Sequence, residues 1–159
     1  MINRRKTLSF CTLVVPWLTI PLIGKNTLIR FMPVATFVGY VFGLLSETAD
    51  NNKWWKVKNP LFPNNRLDIS YLLGLFFITT IWVFKLTFGN FLKYLATNII
   101  IDLIFSFSLV KFFTKVGVFE FKKMRPKHFF ILSVSIAIIM YFYQLLVERV
   151  ITKESNQNQ

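Results

Sequence analysis

The sequence is poor in the residues from which most reactive sites are built. It has one cysteine, Cys11, and one histidine, His128, so an intramolecular disulfide is excluded and a Cys/His zinc site has no ligand set. Cys11 sits inside a hydrophobic run and is expected to be a small packing residue. No Ser/His/Asp set, paired carboxylates or glycine-rich phosphate loop is present, which speaks against an enzyme and leaves no cofactor or metal to assign.

Charge is scarcer still within long stretches. Residues 7–24, 31–46, 69–84 and 129–147 carry none, and 94–110 is interrupted only by Asp102. Runs of this length and apolarity read as membrane-spanning helices. With 54% hydrophobic and 18% aromatic residues, a chain this short cannot bury its apolar surface in one aqueous core, and hydrocarbon is the expected solvent.

What charge there is has one dominant sign, 19 basic against seven acidic residues. The basic residues cluster at the ends of the hydrophobic runs instead of lining one helix face, a distribution that fits anionic lipid head groups and excludes nucleic acid as the partner. Arg4, Arg5 and Lys6 before an apolar stretch imitate a secretory signal. Leu22-Ile23-Gly24-Lys25 lacks the small-residue cleavage pattern, so an uncleaved signal anchor is expected.

Five segments follow: about 7–24, 28–46, 68–88, 91–116 and 126–150. The first contains Pro16 and Pro21 and is expected to be kinked or broken, with its crossing open. The second is expected to hold Pro33 in its first turn and carries Gly39 and Gly43 at GxxxG spacing, suited to close packing within the chain or to a homo-oligomer. Asp68 is a fitting N-cap for the third, Gly89-Asn90 a turn, Gly117 a C-cap for the fourth and Pro126 a first-turn residue for the fifth. The polar end 151–159 has nothing to bury and is expected to be disordered.

Five crossings place Arg4, Arg5, Lys6, Lys53, Lys56, Lys58, Arg66, Lys111, Lys115, Lys122, Lys123, Arg125 and Lys127 on one side, against Lys25, Arg30, Lys85, Lys93, Arg149 and Lys153 on the other. That bias makes the N-terminus cytoplasmic and the C-terminus external, and it vanishes if the first segment does not cross. Trp54 and Trp55, among cytoplasmic lysines, have the chemistry of interfacial anchors. Glu148, beside Arg149, reads as a helix-end charge at the outer interface.

Asp102 is the one charge deep in a run, where insertion costs about 2.5–3.5 kcal/mol. Tyr94, Asn98, Asp102 and Ser106 recur every four residues and form one polar stripe. Counting residues inward from the cytoplasmic ends brings Asp102 level with 140–144, where Tyr141 and Gln144 could donate to it, and within reach of Thr80 on the third segment. The stripe then either glues helices together through hydrogen bonds or lines a proton or cation site.

At Gly24-Lys25-Asn26-Thr27, Arg30-Phe31 with Pro33, Trp54-Trp55, Lys85 through Phe91, and Asn98 with Asp102, the chain resembles a group of small uncharacterised membrane proteins of Bacillus-type Gram-positive bacteria. The resemblance extends over most of residues 12–148 and implies a bacterial cytoplasmic membrane. It implies no activity.

The expected fold is therefore an all-α, polytopic helical bundle in one domain over residues 1–150. The expected function is that of a small accessory protein engaging lipid or a membrane-protein partner at the cytoplasmic face. A proton- or cation-coupled transport component using Asp102 is the alternative, and a sensor or immunity protein a third.

Overall fold

The computed structural model describes residues 4–57, 70–116 and 119–157. The first segment is broken, as its prolines require. Helix α1 (Arg4–Trp17) stops one residue after Pro16, and Pro21 occupies the first turn of the short α2 (Ile20–Ile23). Between them Thr19 Oγ1 donates to the Pro16 carbonyl at 2.6 Å, satisfying an acceptor at the helix end. Cys11 is exposed on α1, so the expectation of a packing role does not hold.

Helix α3 (Lys25–Asn51) is longer at both ends than the expected 28–46, which corrects the placement of Pro33. That proline lies in the helix interior, where it removes the amide that the Ile29 carbonyl would otherwise accept from. The next segment starts as a π-helix, Ser70–Phe76, and continues as α4 (Phe77–Thr87). The cap expected at Asp68 lies outside the described residues.

Gly89, at φ 97°, makes the turn that a side chain would strain. Asn90 Oδ1 then accepts from the Lys93 amide at 3.0 Å and caps α5 (Phe91–Leu103). A second π-helix, Ile104–Leu109, leads into α6 (Val110–Val116); Gly117 lies outside the described residues.

Helix α7 begins at Pro126 and runs to Gln157. Residues 151–157 are thus helical where disorder was expected: no glycine or proline follows Val150, and lysine, glutamate and glutamine prolong a helix already formed. Among the described residues the strands are one three-residue antiparallel pair, β1 (Trp55–Val57) with β2 (Phe119–Phe121), in register Trp55 to Phe121.

Side-chain pairs fix the direction of every helix. Trp17 Nε1 donates to the Leu73 carbonyl, Trp82 Nε1 to Thr19 Oγ1 and Lys85 Nζ to the Leu22 carbonyl, so α1 and α2 run parallel to residues 70–87. Phe31 packs on Phe84 and Phe42 on Phe76, making α3 antiparallel to them. Phe84 meets Tyr94 and Phe76 meets Phe105 across the Gly89 turn. Tyr94 meets Tyr141 and Phe105 meets Phe129, so α7 is antiparallel to α5. The five segments alternate in direction.

Val34, Ala35, Ile81, Phe84 and Tyr94 form the centre of the core with no exposed surface. The outside is equally apolar: Leu92 is 76% exposed, Leu22 69% and Ile131 61%. Water-soluble monomers do not display apolar surface on this scale. Three helical stretches, Lys25–Asn51, Phe91–Phe112 and Pro126–Ile151, are long and apolar enough to cross a membrane, and Phe10–Ile23 and Leu73–Thr87 are shorter apolar helices.

Candidate functional site

A cavity of about 240 Å³ lies between α3, α4, α5 and α7, with Asp102 and Asn98 in its wall beside Thr79, Thr80 and Ser133. Its remaining lining is apolar, including Phe42, Val83, Ile136 and Met140. The two π-helices explain why space exists here. Leu75 and Phe76 come from one, Ile104, Phe105 and Leu109 from the other. A π-turn inserts an extra residue per turn and interrupts regular ridge-into-groove packing.

Two polar groups of this wall bond within their own helices. Thr80 Oγ1 donates its proton to the Phe76 carbonyl at 2.8 Å, and Asn98 Nδ2 donates to the Tyr94 carbonyl at 2.9 Å. These bonds leave the Thr80 oxygen lone pairs, the Asn98 carbonyl oxygen and the second Asn98 N–H. Asp102 has no hydrogen bond or ion pair among the described residues. An apolar chamber that presents a carboxylate, an amide oxygen and a hydroxyl oxygen is suited to a guest carrying protons or positive charge.

The expected stripe of four residues divides into three parts. Asn98 and Asp102 line the cavity. Tyr94 is locked in the core, its hydroxyl donating to the Ala137 carbonyl at 3.0 Å. Ser106 falls inside the second π-helix, where the four-residue period fails, and its buried Oγ has no partner among the described residues.

The α7 partners expected for Asp102 do not line its cavity. Tyr141 is buried among Phe84, Phe88, Phe91 and Tyr94. Gln144 Nε2 donates to the Arg30 carbonyl at 3.2 Å and to Glu148 Oε1 at 3.1 Å. Ser133, Ile136 and Ala137 of α7 face the cavity instead. Counting from the cytoplasmic ends assumed that the end of segment four lies level with the start of α7, but Phe105 packs on Phe129 in the first turn of α7, so α6 extends past that start. Thr80 does share the cavity, as the count suggested.

No family model, curated protein or solved structure matches the chain. Among the described residues no three His, Cys, Asp or Glu side chains gather as metal ligands.

Glu148 is more than a helix-end charge. It accepts from Arg30 Nε at 2.6 Å and Nη2 at 3.0 Å, and the guanidinium lies over Phe31 and Phe88 at 5.2 and 5.3 Å. The sequence offered one signal for this cluster: Gln144 and Glu148 are spaced i, i+4, and the charge tally already places Arg30 and Glu148 on the same side.

Trp55 and Trp54 also differ from expectation. Trp55 is 8% exposed and packs edge-on against Phe129 at 5.9 Å, so its ring braces the bundle instead of anchoring it. Trp54 is half-buried, and its carbonyl accepts from the Lys122 and Met124 amides. Of the GxxxG pair, Gly43 has open space where a Cβ would be. The tight approach is at Gly74, whose Cβ would strike the Thr12 carbonyl and Leu13 of α1, and no spacing motif announced it.

Proposed function

We propose that the chain is a five-span protein of a bacterial cytoplasmic membrane, N-terminus inside and C-terminus outside, that takes up a proton or small cation at Asp102 as a transport-coupled component. The alternating direction of the five segments and the basic bias toward one side support the topology. The observation that carries the function is the cavity itself: an apolar chamber whose carboxylate lacks a hydrogen-bond partner among the described residues and lies beside the acceptor oxygens of Asn98 and Thr80. Interhelical glue requires Asp102 to be bonded across helices; the Gln144 amide donates to Arg30 and Glu148, and the Tyr141 ring packs among the core aromatics.

Reconstitution into liposomes with an interior pH dye, with and without an imposed alkali-cation gradient, tests this. Wild-type protein yields gradient-dependent flux, and Asp102→Asn abolishes it while still inserting. Equal flux through the variant refutes the role. Reporter fusions at the two termini test the topology, which fails if both report the same compartment.

An accessory role at the cytoplasmic face is the second reading, supported by the basic residues that the strand pair gathers at that end. Co-purification with a stoichiometric membrane partner, together with absence of flux, favours it.

A further inference from the structure

The end of the bundle that carries the strand pair has a second recess, of about 500 Å³, open to the surroundings and lined by Leu45, Trp54, Lys123, Met124, His128, Ile131, Leu132 and Ser135. We infer that it is a binding site for one anionic phospholipid, with the phosphate at Lys123 and His128 and an acyl chain along Ile131 and Leu132.

Backbone pairing assembles the polar end. The Lys122 amide donates to the Trp54 carbonyl at 2.9 Å and the Lys123 amide to the Lys53 carbonyl at 3.2 Å, which brings Lys53, Lys122 and Lys123 round Trp54 from loops some 70 positions apart in sequence. Arg125 and Lys127 follow, both exposed. The acidic residues nearest in α3, Glu47 and Asp50, do not line the recess. A phosphate here meets Lys123 and the His128 imidazole, with the other basic residues at the same end, and each cation adds about 1 kcal/mol of attraction near an anionic headgroup.

The other half of the recess argues for lipid over a free anion. Leu45, Ile131 and Leu132 make an apolar wall along α3 and α7, and Ile131 is 61% exposed. A soluble phosphate has no use for that wall. A phospholipid fills both halves: its headgroup beside the lysines, Trp54 at glycerol depth and its chain against the helices.

The test is native mass spectrometry of the full chain released from nanodiscs of equimolar phosphatidylglycerol and phosphatidylcholine. One retained phosphatidylglycerol per chain is expected, in preference to phosphatidylcholine. Lys123→Gln should reduce that preference about fivefold, the equivalent of one lost cation. Lys115→Gln removes the same charge from the same end without touching the recess and should leave the preference unchanged. Ile131→Trp, which fills the apolar half, should also lower retention.

Equal effects of Lys123→Gln and Lys115→Gln overturn the site in favour of diffuse attraction to the surface. Displacement of the retained lipid by millimolar inorganic phosphate overturns the acyl-chain half. Equal retention of both lipids by wild type overturns the whole proposal. Circular dichroism and monodisperse gel filtration of each variant keep misfolding separate from lost binding.

Discussion

Arg30 and Glu148 are 118 positions apart, and their contact tests whether α3 and α7 meet at the register described. The pair is bidentate, at 2.6 and 3.0 Å, and Gln144 adds a third bond to the carboxylate. The arginine side chain is 52% exposed and the glutamate 25%, so solvent screening keeps the coupling within the range of exposed pairs, about 0.2–1 kcal/mol. Bidentate geometry and a fixed carboxylate place it near the top of that range. The stacking on Phe31 and Phe88 contributes about 0.5–1 kcal/mol more, but to Arg30 alone. A double-mutant cycle of Arg30→Gln and Glu148→Gln separates the two contributions, read by equilibrium unfolding in mixed detergent micelles. Arg30→Gln should be the more damaging single change, and the coupling should be about 1 kcal/mol, falling in 1 M KCl. Additivity of the two changes within about 0.3 kcal/mol would refute the contact, and with it the alignment of the N-terminal part of α3 with the C-terminal part of α7.

Two glycine substitutions should move stability in opposite directions in the same unfolding assay. Gly43→Ala adds a methyl group in open space and a better helix former, for a gain of about 0.5–1 kcal/mol; a loss would mean that a second chain packs there. Gly74→Ala drives a methyl group into the α1 backbone and should cost about 1–3 kcal/mol, with protease cleavage of α1 increasing; an unchanged midpoint would deny the close approach. Tyr94→Phe removes the buried bond to the Ala137 carbonyl and should cost about 1 kcal/mol or more, since the acceptor stays buried. Asn90→Ala should cost about 1 kcal/mol by uncapping α5, with Asn90→Ser restoring most of it.

The helices were legible because hydrocarbon leaves the backbone no alternative: a run of apolar residues too long for a soluble core must close its own hydrogen bonds. The break at Pro16 and Pro21, the Gly89-Asn90 turn and the start at Pro126 were legible for an equally local reason, since each depends on one residue's dihedral or missing donor. Those signals say nothing of how far one helix slides along another. Aromatic packing sets that quantity here, through Tyr94 on Tyr141 and Phe105 on Phe129, and aromatic residues are so abundant in this chain that no spacing singles these four out.

The candidate site follows the same division. The spacing of Asn98 and Asp102 placed both on one helix face, because one turn of α-helix separates them. Ser106 escaped that face because the backbone widens to a π-helix at Ile104, a change no residue in Ile104–Leu109 compels. A π-turn is less favourable than an α-turn and persists only where tertiary packing holds it. The tilted ring contact of Phe76 with Phe105, centroids 5.4 Å apart, joins the two π-helices directly. The space beside Asp102 is therefore made by a contact between residues 29 positions apart in the sequence, while the chemistry inside it is made by two residues four apart. A single-chain reading reaches the second and is blind to the first, which is why the carboxylate was visible in the sequence and the chamber around it was not.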